Sequence, residues 1–198
     1  MRPHKVEFYF DYNSPYSYIA SLQVEELCER QGATLEWHPM VLGAVFQVMG
    51  HTPSFQNETR RKYLMEDLRN LAEVYGLPYR ERTQFIFHPI LSMRATVQVP
   101  QGAQRGKAVH ALFRGAFAED KDLGKPEVVT DLLNQAGLDG QALVAGANQQ
   151  AVKDTLKANT DRAVARGVFG APTLFIDDSR MFWGHDRLHV VEHFLQQP

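Results

Sequence analysis

The chain has a single cysteine, Cys28, in 198 residues. One thiol excludes an internal disulfide, a C-x-x-C redox pair and a zinc site built on cysteines. Excess charge is missing as well: 21 Lys and Arg face 23 Asp and Glu, a formal net charge of −2. With no surplus of cations to hold a phosphate backbone, nucleic acid is not an expected partner. No apolar run approaches the roughly 20 residues that span a bilayer, so no membrane is expected either. Lys5, Glu7 and Asp11 break up the segment MRPHKVEFYFDYN, which does not read as a signal peptide, and a cytoplasmic location is the expectation. Repeats, low-complexity tracts and flexible linkers are also missing. What is present is an ordinary globular composition, 44% hydrophobic and 22% charged. The length suits one domain with a sizeable insertion.

The pattern along the chain is β-α-β, a long helical stretch, then β-β-α. KVEFYFDY, residues 5–12, alternates and is aromatic, which predicts a strand. Ser14 and Pro15 form a helix start, with a capping hydroxyl and a proline where no N–H is needed. That helix runs to about Gln31 with Ala20, Val24, Leu27 and Cys28 as its apolar stripe, and Gly32 ends it. A second strand follows over Thr34 to Pro39, which makes a parallel βαβ unit. From residue 57 to 75 the pattern is helical, with Tyr63, Leu64, Leu68, Leu71 and Ala72 inward. Residues 85–99 read as a turn and a helix, and further helices are expected near 106–119, 126–136, 139–146 and 149–166. PTLFI, the DDS turn and RMFW make a terminal hairpin over 172–183, and Asp186 to Gln196 a last helix. The expected fold is α/β: one mixed sheet shared by residues 1–41 and 170–198, with 42–169 as an all-helical insertion and lid.

Two short motifs carry the chemistry. Ser14-Pro15-Tyr16-Ser17 reads alone as an ordinary N-cap, and Gly170-Ala171-Pro172-Thr173 as a loop proline opening a strand. Together in this topology they follow the thioredoxin plan, in which a cis-proline faces the first helix N-terminus. Ser14 and Ser17 then stand where a redox pair would be. The sequence resembles the 2-hydroxychromene-2-carboxylate isomerases and the kappa-class glutathione transferases, which share a DsbA-like thioredoxin fold. The matching pieces are FYFDYNSPYSY, the segment Asn57 to Leu68, RGVFGAPTLF at 166–175 and FWGHDRL at 182–188.

The resemblance implies glutathione as cofactor, an aromatic or chromene carboxylate as substrate and a homodimer. It implies that Ser14 holds the glutathione thiolate. Ala171, beside a cis Pro172, then pairs with the cysteinyl backbone, and Trp183, Gly184, His185 and Asp186 receive the glutamyl end. Tyr12, Tyr16, Asn57, Arg60 and His88 are the expected substrate contacts. His185 stands where the family usually has Asn, Arg60 aligns with a family lysine, and His88 falls near a family Asn. Within the enzyme class the alternative is glutathione transfer; outside it, a binding protein in which Ser14 is only a cap. Asp186 also reads as the cap of the last helix.

The physical logic agrees. A free thiol titrates near 8.5, and lowering that by about two units needs roughly 2.7 kcal/mol. A hydroxyl donating to a charged acceptor contributes about 1.5–3 kcal/mol, and a helix N-terminus about 0.3–1 kcal/mol. Competing motifs are poorer. His189 to His193 has the H-x-x-E-H spacing, but only FLQQP follows it, with no third ligand, so no metal is expected. GAQRGK at 102–107 lacks P-loop spacing, and Cys28 belongs to the core.

Overall fold

The computed structural model describes residues 3–53, 56–83 and 86–197. Its sheet has four strands, β1 (Lys5–Phe10), β2 (Thr34–Pro39), β3 (Thr173–Ile176) and β4 (Arg180–Trp183), in the order β2-β1-β3-β4. β1 runs parallel to β2 and antiparallel to β3, and β3 antiparallel to β4. The crossover between β1 and β2 is α1 (Pro15–Arg30), which ends where Gly32 adopts a left-handed φ of 63°. That is the expected plan, and no described residue between β2 and β3 is in a strand.

Because side chains alternate across a strand, central β1 feeds two cores. Val6, Phe8 and Phe10 join a large cluster with α1, α5 (Ala103–Phe117) and α9 (Leu188–Leu195). Tyr9, with Met40, Val45, Val168 and Phe175, packs on the other face, where α8 (Gln150–Ala165) lies. The same large cluster takes in Met93 of α4 (Ile90–Gln98) and Leu132 of α6 (Pro126–Gln135), so the inserted helices share one core with the sheet.

Three details differ from the sequence pattern. A helix α2 (Leu42–Met49) follows β2 unforeseen; its residues LGAVFQVM are apolar but for Gln47, and its N-cap Val41 offers no side-chain cap. In α3 (Glu58–Tyr75) Tyr63 points to solvent at 65% exposure, and only Leu68 is buried. The last helix begins later than Asp186: a 3-10 turn, His185–Arg187, precedes α9, and the Asp186 carboxylate accepts no capping N–H from either. The short α7 (Gly140–Gly146) completes the insert. No helix among the described residues is long and apolar enough to cross a membrane.

Candidate active site

Ser14 sits at the carboxyl end of β1, at the N-terminus of the sixteen-residue α1. Its extended φ/ψ of −88°/108° lets the chain turn from strand to helix. Ser14 Oγ accepts the Ser17 N–H at 3.2 Å and donates to the Ala171 carbonyl at 3.0 Å. The Ala171–Pro172 bond is cis, as expected. The hydroxyl and the proline loop, 157 residues apart in sequence, are therefore in direct contact. Thr173 Oγ1 donates to the Gly170 carbonyl, and the Gly184 N–H to the Pro172 carbonyl, which ties the loop to the end of β4. At Gly170 a Cβ would lie 2.4 Å from the Trp183 indole nitrogen, so only glycine lets the indole lie there. Trp183 is half exposed and packs against Phe169, with ring centroids 4.9 Å apart.

A second wall comes from α1, α3 and the 3-10 turn. The Tyr16 ring stacks on the His185 imidazole, centroids 4.9 Å apart and planes 3° from parallel. Tyr16 Oη donates to Asp67 Oδ2 at 2.7 Å. Burial, then the Asp67 carboxylate, raise the Tyr16 phenol above its ordinary range. Burial lowers His185 below 6.5, against the opposing pull of Asp186 and Asp67, so the imidazole is neutral at pH 7. Asp186 is exposed and pairs with Arg187 at 3.0 Å. Its carboxylate also occupies the space a Cβ on Gly184 would need, at a residue whose φ of 107° already favours glycine.

The turn is clamped from below. The Asn13 amide donates to the Phe87 carbonyl at 3.0 Å and accepts the Phe87 N–H at 3.3 Å. These two hydrogen bonds hold the segment carrying exposed His88 beside the serine turn.

The structure thus brings together Ser14, Ala171, Pro172, Trp183, Gly184, His185, Asp186 and Tyr16. It does not bring Tyr12 to the surface. Tyr12 is fully buried, its ring against Phe10 and Phe113 and its hydroxyl bonded to Thr96 Oγ1 at 2.7 Å, so it is a core residue. Asn57 caps α3 by accepting the Arg60 N–H at 3.0 Å, and both residues are exposed. Arg60 lies seven residues and Asn57 ten residues from Asp67 along α3, about 10 and 15 Å at 1.5 Å per residue. Asp67, Asn13 and Phe169 were missed by sequence reasoning.

Among the described residues, donor atoms of Glu7, Glu36 and His38 lie within 4.8 Å of one another. The Glu7 oxygens are already paired with Arg162 and Arg166 at 2.7 Å each, and two guanidiniums oppose a cation there.

The sequence profile of the DSBA-like thioredoxin domain matches residues 5–196. A 2-hydroxychromene-2-carboxylate isomerase of Pseudomonas putida is 30% identical over 198 residues, covering 94% of this chain and 92% of that one. The chain belongs to the DSBA-like thioredoxin family. The chain is also similar to a kappa 1 glutathione S-transferase of Caenorhabditis elegans, 24% identical over 98% of this chain and 92% of that one. The solved structure of a 2-hydroxychromene-2-carboxylate isomerase superposes with a TM-score of 0.88 at 27% identity, covering 96% of this chain and 94% of that one. In this DSBA-like chain the first helix starts with Ser14 and Ser17, and the only thiol is remote from both in sequence and buried. Burial pushes Cys28 up to about 12. Disulfide exchange therefore has no reactive group here.

Proposed function

We propose that the chain is a glutathione-dependent isomerase of an aromatic or chromene carboxylate, of the 2-hydroxychromene-2-carboxylate isomerase kind. The observation that carries this reading is the Ser14 hydroxyl, held at a helix N-terminus and aimed at the carbonyl beside the cis-proline. That carbonyl is the natural acceptor for a peptide N–H. A ligand amide that bonds Ala171 frees the Ser14 proton for a sulfur atom. Glutathione fits these groups and, when bound, supplies a thiolate that adds reversibly to a conjugated acceptor and is released again.

The chain's own residues would hold and orient it. Ser14 donates to the sulfur, and the α1 N-terminus favours its negative charge. Ala171 takes the cysteinyl N–H. Asp186 pairs with the glutamyl ammonium beside Trp183, Gly184 and neutral His185. Tyr16 is covered on one face by His185, so it offers a substrate its edge and its Asp67-bound hydroxyl. His88 and Arg60 are assigned to the acceptor side, with Asn57 holding the start of α3. The working form is a cytoplasmic homodimer: a thiol cofactor and an unpaired cysteine suit a reducing compartment, and exposed Val48, Tyr63 and Val74 suit a subunit contact.

Glutathione transfer is the second reading, favoured by the kappa-class relative. The test is turnover of 2-hydroxychromene-2-carboxylate with and without glutathione, with the free-thiol count followed in parallel. Conversion that requires glutathione at constant thiol count is the expected result. Thiol loss in step with substrate establishes transfer instead. Glutathione binding without conversion overturns both and leaves a binding protein.

A further inference from the structure

Asp11 is a buried carboxylate that none of the chemistry above uses. It is 3% exposed and lies between β1 and Ser14. Its Oδ1 accepts the Asn13 N–H at 2.7 Å, and its Oδ2 accepts the Leu42 N–H at 2.9 Å. Its main-chain carbonyl accepts the Ser14 N–H at 2.9 Å. Among the described residues no Lys, Arg or His side chain is within ion-pair distance of it. Buried carboxylates ordinarily have a cation. This one has two peptide N–H groups, one of them from the start of α2, whose own N-cap residue Val41 supplies no side-chain acceptor for the orphan N–H groups and positive dipole end. An amide in its place has only one acceptor oxygen, and its NH2 would face an N–H donor.

We propose that Asp11 is the positioning residue of this site: its ionised carboxylate ties the Ser14 turn to the start of α2, and neutralising it slackens the turn that aims Ser14 Oγ. The catalytic consequence rests on the reading of Ser14 as thiolate donor; the tie itself rests on the hydrogen bonds. Burial raises the Asp11 carboxyl to about 6, while the bonds from Asn13 and Leu42 pull it down. The carboxylate is therefore mostly ionised at neutral pH and neutralised in mild acid, which weakens its acceptance of the two N–H groups. Tyr12 is the titratable group facing Asp11, and its phenol, raised by burial, stays protonated throughout. Arg105 acts on Tyr12 from α5, and its field does not register on Asp11.

The test has two arms. In the ligand-free wild-type chain, the backbone amide resonances of Asn13, Ser14 and Leu42 are followed by NMR from neutral pH into mild acid. They should shift together with one midpoint near 6. In Asp11→Asn these amides should not titrate. In the second arm glutathione is the probe, read by the ultraviolet band of its thiolate. Wild type should show an added loss of bound thiolate at the midpoint of the amides. Asp11→Asn should hold about tenfold less thiolate at a fixed pH, which is a rise of about one pKa unit. Amides that do not move together overturn the tie, and this arm needs no variant to fold. Asp11→Asn with the wild-type thiolate fraction overturns the positioning role. A wild-type chain that binds no glutathione overturns the proposed function instead, and the amides then decide the tie alone.

Discussion

A serine can stand where a redox cysteine would only if its proton and lone pairs have partners, and Ser14 has one for each: Ser17 N–H and the Ala171 carbonyl. The sequence made that residue legible because Ser-Pro at a helix start is a local signal. Asp67 was illegible because its partner Tyr16 is 51 residues away. Tyr12 was misread for a physical reason. Val6, Phe8, Phe10 and Tyr12 all enter one core cluster, so Tyr12 keeps the strand's phase after the strand has ended, and adjacency to Ser14 counts for less than that phase. Replacing Tyr16 by Phe keeps the ring over His185 but leaves the Asp67 carboxylate without its donor. We expect a loss of about 1–2 kcal/mol in urea unfolding, together with weaker glutathione binding.

At the scale of elements, α8 is docked on the sheet by a charge rather than by apolar contact alone. Glu7 of β1 is fully buried and paired with Arg162 and Arg166 of and just after α8. Arg166 also lies over the Phe175 ring, 3.5 Å from its centroid. Glu7→Gln removes the close negative partner and leaves Arg166, only 17% exposed, with the more distant Asp178 carboxylate at 3.7 Å. A loss of about 3 kcal/mol is expected, read as a lower urea midpoint with an unchanged slope. The start of α1 makes a second prediction. Ser14 and Ser17 have the spacing of a C-x-x-C turn, so the double change Ser14→Cys and Ser17→Cys should give a closable disulfide, with Cβ atoms within about 4.5 Å. A thiol count in oxidising and reducing buffer checks it, since buried Cys28 is silent in the native state. The β-α-β and β-β-α ends were legible from alternation and turns. Helix α2 was not, because it has no polar face and its cap, Asp11, comes from 31 residues earlier.

For the whole molecule, the order of elements was legible, and the helices inserted between the strands share the large core cluster with the sheet. Burial lowers His38 and His185 below 6.5, so the unfolded chain binds their protons first and stability falls as pH drops below 6.5. Asp11 acts in the opposite sense. Raised from 3.8 to about 6, it binds its proton first in the folded chain, so its contribution grows as pH falls through that window. The shift corresponds to about 3 kcal/mol at 1.36 kcal/mol per unit. Asp11→Asn should therefore lose stability relative to wild type by up to about 3 kcal/mol between neutral pH and about pH 4. Denaturant unfolding at the two pH values measures the difference.

The hydrogen bond proposed from Ser14 to a glutathione thiolate is checked by the pH titration of the thiolate band of bound glutathione in wild type and in Ser14→Ala. That variant gives up one cap, about 1 kcal/mol, and should stay folded. In wild type the bound thiol should be about two units more acidic than the free one, and in Ser14→Ala it should return at least one unit toward the free value. Equal titrations in the two proteins would contradict the proposed hydrogen bond.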